Sequence, residues 1–161
     1  MPRLMPILAG VSLFLILSGT TLSQKRQTSD AGLQKSTGCS STIECQKVAK
    51  VAFDAEMARI GKDCKNVMSQ REEDSCQSDA AAATERNFSN FYNALEGIVG
   101  NKVLNESEPA WLNYRKKQCD AILGFFQPGT IAPSAALRCK IELTRSRMRD
   151  LDSLFETPLH H

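Results

Sequence analysis

Histidine, one-sided charge and long apolar runs are all missing from the body of this 161-residue chain. Its two histidines, His160 and His161, are the last two residues, so no imidazole pair at helical spacing is available to hold zinc. General acid-base work would fall to carboxylates or tyrosine, and neither a phosphate-cradling glycine loop nor a strand-turn nucleophile motif occurs. No enzymatic activity, metal or cofactor is expected. The formal net charge is +2, too near neutrality to set up a long-range field for nucleic acid or an anionic membrane. The most apolar stretch, Ile7 to Leu17, falls short of the ~20 residues that cross a bilayer as a helix, so no stable membrane span is expected. No segment alternates apolar and polar residues over a useful length, which removes the main signal for strands.

What is present at the N-terminus reads as a secretory signal over residues 1–23. Arg3 precedes the apolar run, and Thr21 and Ser23 follow it, which places cleavage after Ser23; an uncleaved anchor is the alternative. No cysteine follows the run closely enough to become a lipid-modified first residue. Arg3 is the only charged side chain in that segment, so its removal takes the net charge from +2 to +1. The six cysteines, Cys39, Cys45, Cys64, Cys76, Cys119 and Cys139, all lie beyond it, and none forms a C-x2-C pair. An even set in an exported chain points to a disulfide framework in a secreted or periplasmic protein.

Residues 24–41 are polar and aperiodic and read as a flexible lead-in to one domain over 42–157. Ala49, Phe53, Met57, Ile60, Cys64 and Val67 recur at helical spacing and predict a first helix, with Gly61 as its weak point or end. The charged stretch from Gln70 to Ser78 reads as a linker or a frayed helix end. Ser78 is a suitable N-cap for a second helix whose face is Ala81, Glu85, Phe88, Tyr92, Leu95 and Val99, ending near Gly97 or Gly100. Ser107, Glu108 and Pro109 suit the start of a third helix running to about Phe126. Ser134, after Pro133, opens a fourth with the stripe Leu137, Ile141, Thr144, Met148, Leu151 and Phe155. Cys139 lies off that stripe, so the first turn of this helix must be approached from a second side or be irregular. An all-α, disulfide-stapled bundle of about four helices follows.

Two spaced motifs near the C-terminus carry the most information. Trp111, Arg115 and Cys119 follow one another at steps of four and share a helical ridge. Gly124, Pro128, Gly129 and Pro133 then turn the chain before Cys139, Thr144, Arg147 and Leu151. The simplest reading is a helical hairpin stapled through Cys119 and Cys139. These residues resemble the LprI-type lysozyme-inhibitor family, whose domains end in W-x3-R-x3-C, a Gly-containing loop and C-x4-T-x2-R-x3-L. The earlier half of the signature is similar to Cys64, Ser69, Gln70, Glu72 and Cys76, followed by Glu85, Phe88, Ser89, Tyr92 and Leu95. This half departs from the family pattern at Glu73, Glu85, Phe88 and Ser89. The resemblance spans residues 64–155 and implies Cys64 with Cys76 and Cys119 with Cys139, leaving Cys39 and Cys45 for each other.

The resemblance also implies a function, a binding protein that blocks a lysozyme-type muramidase without chemistry. The alternative is an envelope or secreted module that binds another protein or an apolar ligand and leaves lysozyme untouched. Glu72, Glu73 and Asp74 form a solvated acidic loop or a partner epitope, and a basic target would favour the epitope. Trp111 is a large core side chain or a partner contact. Arg115 holds an acidic group of a partner, or acts internally by pairing with Glu142 or capping carbonyls within the bundle; Arg147 carries the same ambiguity, with Thr144 a hydrogen-bonding residue in an apolar stripe.

Overall fold

A computed structural model describes residues 38–155 of the chain, and all structural statements concern those residues. The expected signal segment lies outside them, as does most of the lead-in. The described residues form four long helices and one short one, without strands: α1 (Thr42–Met57), α2 (Gln70–Val99), α3 (Asn101–Asn105), α4 (Glu108–Phe126) and α5 (Ala132–Leu154). Helix α2 is the central element, packed against α1 on one side and α5 on another, while α4 lies along α5. That placement explains why Cys139 sits off the α5 stripe. The stripe itself (Ile141, Thr144, Met148, Leu151) is buried toward the bundle, and Cys139 reaches α4 from a second side.

The core brings together Ala49 and Ala52 of α1, Phe88, Phe91, Tyr92, Ala94 and Leu95 of α2, Leu104 of α3, and Met148 and Leu151 of α5. Small residues on α1 let it approach α2 closely, and Tyr92, Phe88 and Phe91 of α2 are the largest fully buried side chains. Phe53 and Phe91 meet at a ring separation of 5.8 Å, in the tilted geometry aromatic pairs prefer. No helix among the described residues is long and apolar enough to cross a membrane.

Three disulfides staple the bundle: Cys39–Cys45, Cys64–Cys76 and Cys119–Cys139. The first lies across Gly97 of α2. A Cβ built there would be 2.6 Å from Cys45 Sγ and 3.1 Å from Cys39 Sγ, so the absence of a side chain is what admits the bridge. Residues 38–41, the end of the expected lead-in, carry Cys39 and also Ser41, whose hydroxyl accepts the Glu44 N–H at the start of α1.

Several element boundaries differ from the sequence reading. The first helix ends at Met57 instead of continuing through Ile60, Cys64 and Val67. Turns follow in which Gly61 and Cys64 both adopt left-handed φ (69° and 56°), and the Cys64–Cys76 bridge holds the second of these in place. Gln70 to Ser78 is neither a linker nor a frayed end, and Ser78 caps nothing. Helix α2 begins at Gln70, because the Ser69 hydroxyl accepts the Glu72 N–H and the Glu72 carboxylate accepts the Met68 N–H at 2.8 Å, satisfying two otherwise orphaned donors. Helix α3 was not anticipated. Ser107 flanks α4 but makes no side-chain cap; its hydroxyl donates to the Leu104 carbonyl and accepts from Arg147. Pro133 lies inside the first turn of α5, one residue before Ser134, and not ahead of the helix.

Candidate functional site

Trp111 lies one turn into α4, with Arg115 one further turn along, and α5 delivers Thr144 and Arg147 to the same place. The guanidinium carbons of Arg115 and Arg147 stand 4.8 Å and 5.8 Å from the centroid of the Trp111 ring, within cation–π range, and Phe88 of α2 meets that ring at 5.3 Å. Arg115 Nη1 donates to Thr144 Oγ1 at 2.7 Å and to Glu85 Oε1 of α2, while Thr144 donates to the Lys140 carbonyl. Arg115 therefore pairs with Glu85 and not with Glu142, which is turned toward Arg145. The result is a clasp fastening α4 to α5 and α2. The two arginine side chains are only 14% and 16% exposed, and Trp111 is half-buried against the core, so most of this surface faces inward.

One carboxyl in the clasp is poorly served. Glu108 is buried, its oxygens have no hydrogen-bond partner among the described residues, and Arg147 Nη2 approaches only to 3.6 Å. Burial pushes this carboxyl above its ordinary range, against the opposing pull of Arg147 and Arg115. The Tyr92 hydroxyl is similarly buried and unpartnered, and burial, reinforced by Glu108, raises the phenol well above its usual value.

The acidic candidates lie elsewhere, at the start of α2, with Glu72 and Glu73 in its first turn and Asp74 just beyond. Glu72, Glu73 and Asp74 are helical and not a loop, a position where carboxylates complement the positive end of the helix. Glu72 is exposed and caps through Met68; Asp74 accepts from Gln70 at 2.9 Å; Glu73 accepts from Gln77 at 2.8 Å and from Arg138 of α5 at 2.6 Å. The six candidate partner residues thus form two separate groups.

A third cluster escaped the sequence reading. Glu56 of α1 is fully buried, accepting from Thr84 Oγ1 (2.7 Å), Asn87 Nδ2 (2.8 Å) and Arg145 Nε (2.8 Å). Arg145 spends its remaining nitrogens on Asp63, in the turn after α1, and on Glu142. Burial alone would raise the Asp63 carboxyl, but hydrogen bonds from Arg145 and Arg59 outweigh it and hold the group below its ordinary value. The signal was in the sequence: Glu56 continues the small-residue stripe of Cys45, Ala49 and Ala52, and Arg145 stands between Ile141 and Met148 on the inner face of α5. Charges of opposite sign on two apolar faces are a buried pair in waiting.

No group of histidine, cysteine and acidic side chains among the described residues is arranged to hold a metal ion. The fold and its clasp define the class, a disulfide-stapled all-α module whose spaced motifs tie helices together. The family model described as lysozyme inhibitor LprI matches residues 61–151, more than half of the chain, and the chain belongs to that family. No curated protein and no solved structure matches it.

Proposed function

We propose that this chain is an exported protein that binds a lysozyme-type muramidase and blocks it stoichiometrically, without chemistry of its own. Membership of the lysozyme-inhibitor family over residues 61–151 carries this reading. The three disulfides support an oxidising compartment, in keeping with a signal segment over residues 1–23 and a domain over 42–157. A bundle fixed by three bridges also suits an inhibitor, because a surface ordered beforehand loses little entropy on binding.

Within this proposal, the two groups of candidate residues take different roles. Trp111, Arg115 and Arg147 act from inside, keeping α4 in place, since Arg115 bonds Glu85 and Thr144, Arg147 bonds Ser107 and lies beside Glu108, and the Trp111 ring packs against Phe88 under both guanidinium groups. The acidic start of α2, close to the Cys64–Cys76 bridge, is the contact surface, presented by the exposed Glu72 and the half-buried Asp74, with Glu73 beneath them held by Gln77 and Arg138. The decisive test pairs direct binding with cell-wall lysis for several lysozyme classes, using the wild type and a variant with Glu72→Gln, Glu73→Gln and Asp74→Asn together. Slower association and a flatter salt dependence for the variant are expected. Equal association rates would remove the acids from the interface, and no binding to any lysozyme by the wild type would overturn the proposal.

A further inference from the structure

A groove of about 460 Å³ runs between α4 and α5 on the side away from the core. Tyr114, Ile122 and Phe126 line it from α4, Leu143 from α5, and Ile131 from the connection. Tyr114, Phe126 and Ile131 are 54%, 37% and 47% exposed, and neighbouring Phe125 is 80% exposed, so large apolar side chains lie along the groove, three of them where α4 turns into α5 and Tyr114 toward the other end. Patches of this kind mark interaction surfaces.

The charges on the rim bear on what could cover it. Arg138 and Glu142 stand one helical turn apart on α5, both lining the groove, with side chains 60% and 57% exposed. Each engages one internal partner through one atom, Arg138 through Nη2 to Glu73 and Glu142 through Oε1 to Arg145. A partner carrying charge of one sign would meet its own sign at one of these two positions. A second copy of the chain, related by a two-fold axis crossing α5 between them, would run its α5 antiparallel and set each Arg138 against the other copy's Glu142, twice over. The same rotation carries the Phe126 and Ile131 end of one hairpin toward the Tyr114 end of the other. The chain's small net charge adds little repulsion to this approach.

We propose that the groove between α4 and α5 is a self-association surface through which two copies pair isologously. Sedimentation velocity over a concentration series of the purified chain tests this, with circular dichroism confirming that each variant keeps its helices. The wild type is expected to approach twice the monomer mass as concentration rises, and Ile131→Asp to remain monomeric. Arg138→Glu and Glu142→Arg should each weaken pairing about tenfold or more by placing like charges opposite each other, and the double reversal should recover it. The proposal is overturned by a wild type that stays monomeric throughout, by an Ile131→Asp variant that pairs like the wild type, or by a double reversal no tighter than the single ones. Uptake of an apolar fluorescent dye by a strictly monomeric chain would assign the groove to a small apolar ligand instead.

Discussion

Replacing Arg145 with alanine removes the cation hydrogen-bonded to the fully buried Glu56 and leaves it only Arg59, whose Nη1 stands 3.9 Å away. In the native arrangement three helices and the turn after α1 meet at this pair. Arg145 Nε reaches Glu56 at 2.8 Å, its other nitrogens reach Asp63 and Glu142, and the arginine side chain is only 4% exposed. Without it Glu56 keeps the hydroxyl of Thr84 and the amide of Asn87, but its charge faces only the more distant Arg59 and has no access to water. Breaking a buried pair from one side in this way costs about 3–5 kcal/mol. That is a large part of the ~5–15 kcal/mol that holds a domain of this size together. Urea unfolding, followed by far-UV circular dichroism, measures it directly. The midpoint should fall sharply with little change in the urea dependence. The variant Arg145→Met with Glu56→Gln removes both charges and should lose less than either single change. The pH profile supplies a second check. Because Asp63 titrates below its ordinary value of 3.8 in the folded protein, the stability it contributes is complete above that pH and drains away as pH falls through the folded value. Loss of Arg145 removes one of its two arginine donors and should flatten this acid limb. A loss under about 1 kcal/mol for Arg145→Ala would show that the network is solvated and that the reasoning fails.

Three further substitutions probe other parts of the structure. Trp111→Ala should lower stability by about 3 kcal/mol, the low end for a large aromatic because the ring is half-buried; unchanged thermal unfolding together with lost partner binding would make Trp111 an interface residue instead. Glu108→Gln mimics the protonated acid. Since burial raises this carboxyl above 4.5, its favourable contribution is complete below that pH and is lost as pH rises through the folded value, so the variant should be more stable than wild type at neutral pH and no different in acid; a less stable variant at pH 7 would mean that the Arg147 ion pair outweighs burial. Gly97→Ala forces a methyl against Cys45 Sγ and should cost about 1–3 kcal/mol or leave Cys39 and Cys45 unbridged, which thermal unfolding and thiol counting would reveal.

The features legible in the sequence were those written as local spacing. Steps of four through Trp111, Arg115 and Cys119, and the stripe from Ile141 to Leu151, identified two helices and the turn between them. Cys139, standing off its own stripe, signalled a second packed side, now seen to be occupied by α4. Boundaries were harder. Helical spacing continues through Ile60, Cys64 and Val67 although the backbone has left the helix, because apolar periodicity does not record the left-handed turns at Gly61 and Cys64. At Ser69 the cap was written in the sequence, Ser69 with Glu72 three residues on, but the surrounding charge made it resemble a linker. The contacts that give the site its shape join residues far apart in the chain, Arg145 with Glu56 and Arg115 with Glu85. Nothing local encodes such partners; only the complementary sign of charges on two inward faces announces them.

The central claim, stoichiometric inhibition without catalysis, is tested most directly by titrating the oxidised protein into a fixed amount of a muramidase and following cell-wall lysis. Residual activity is expected to fall in proportion to the protein added, reach its floor near one equivalent per enzyme, and stay constant with time of mixing. Lysis that is unchanged at every ratio, or that decays progressively under a small fraction of an equivalent, would contradict it.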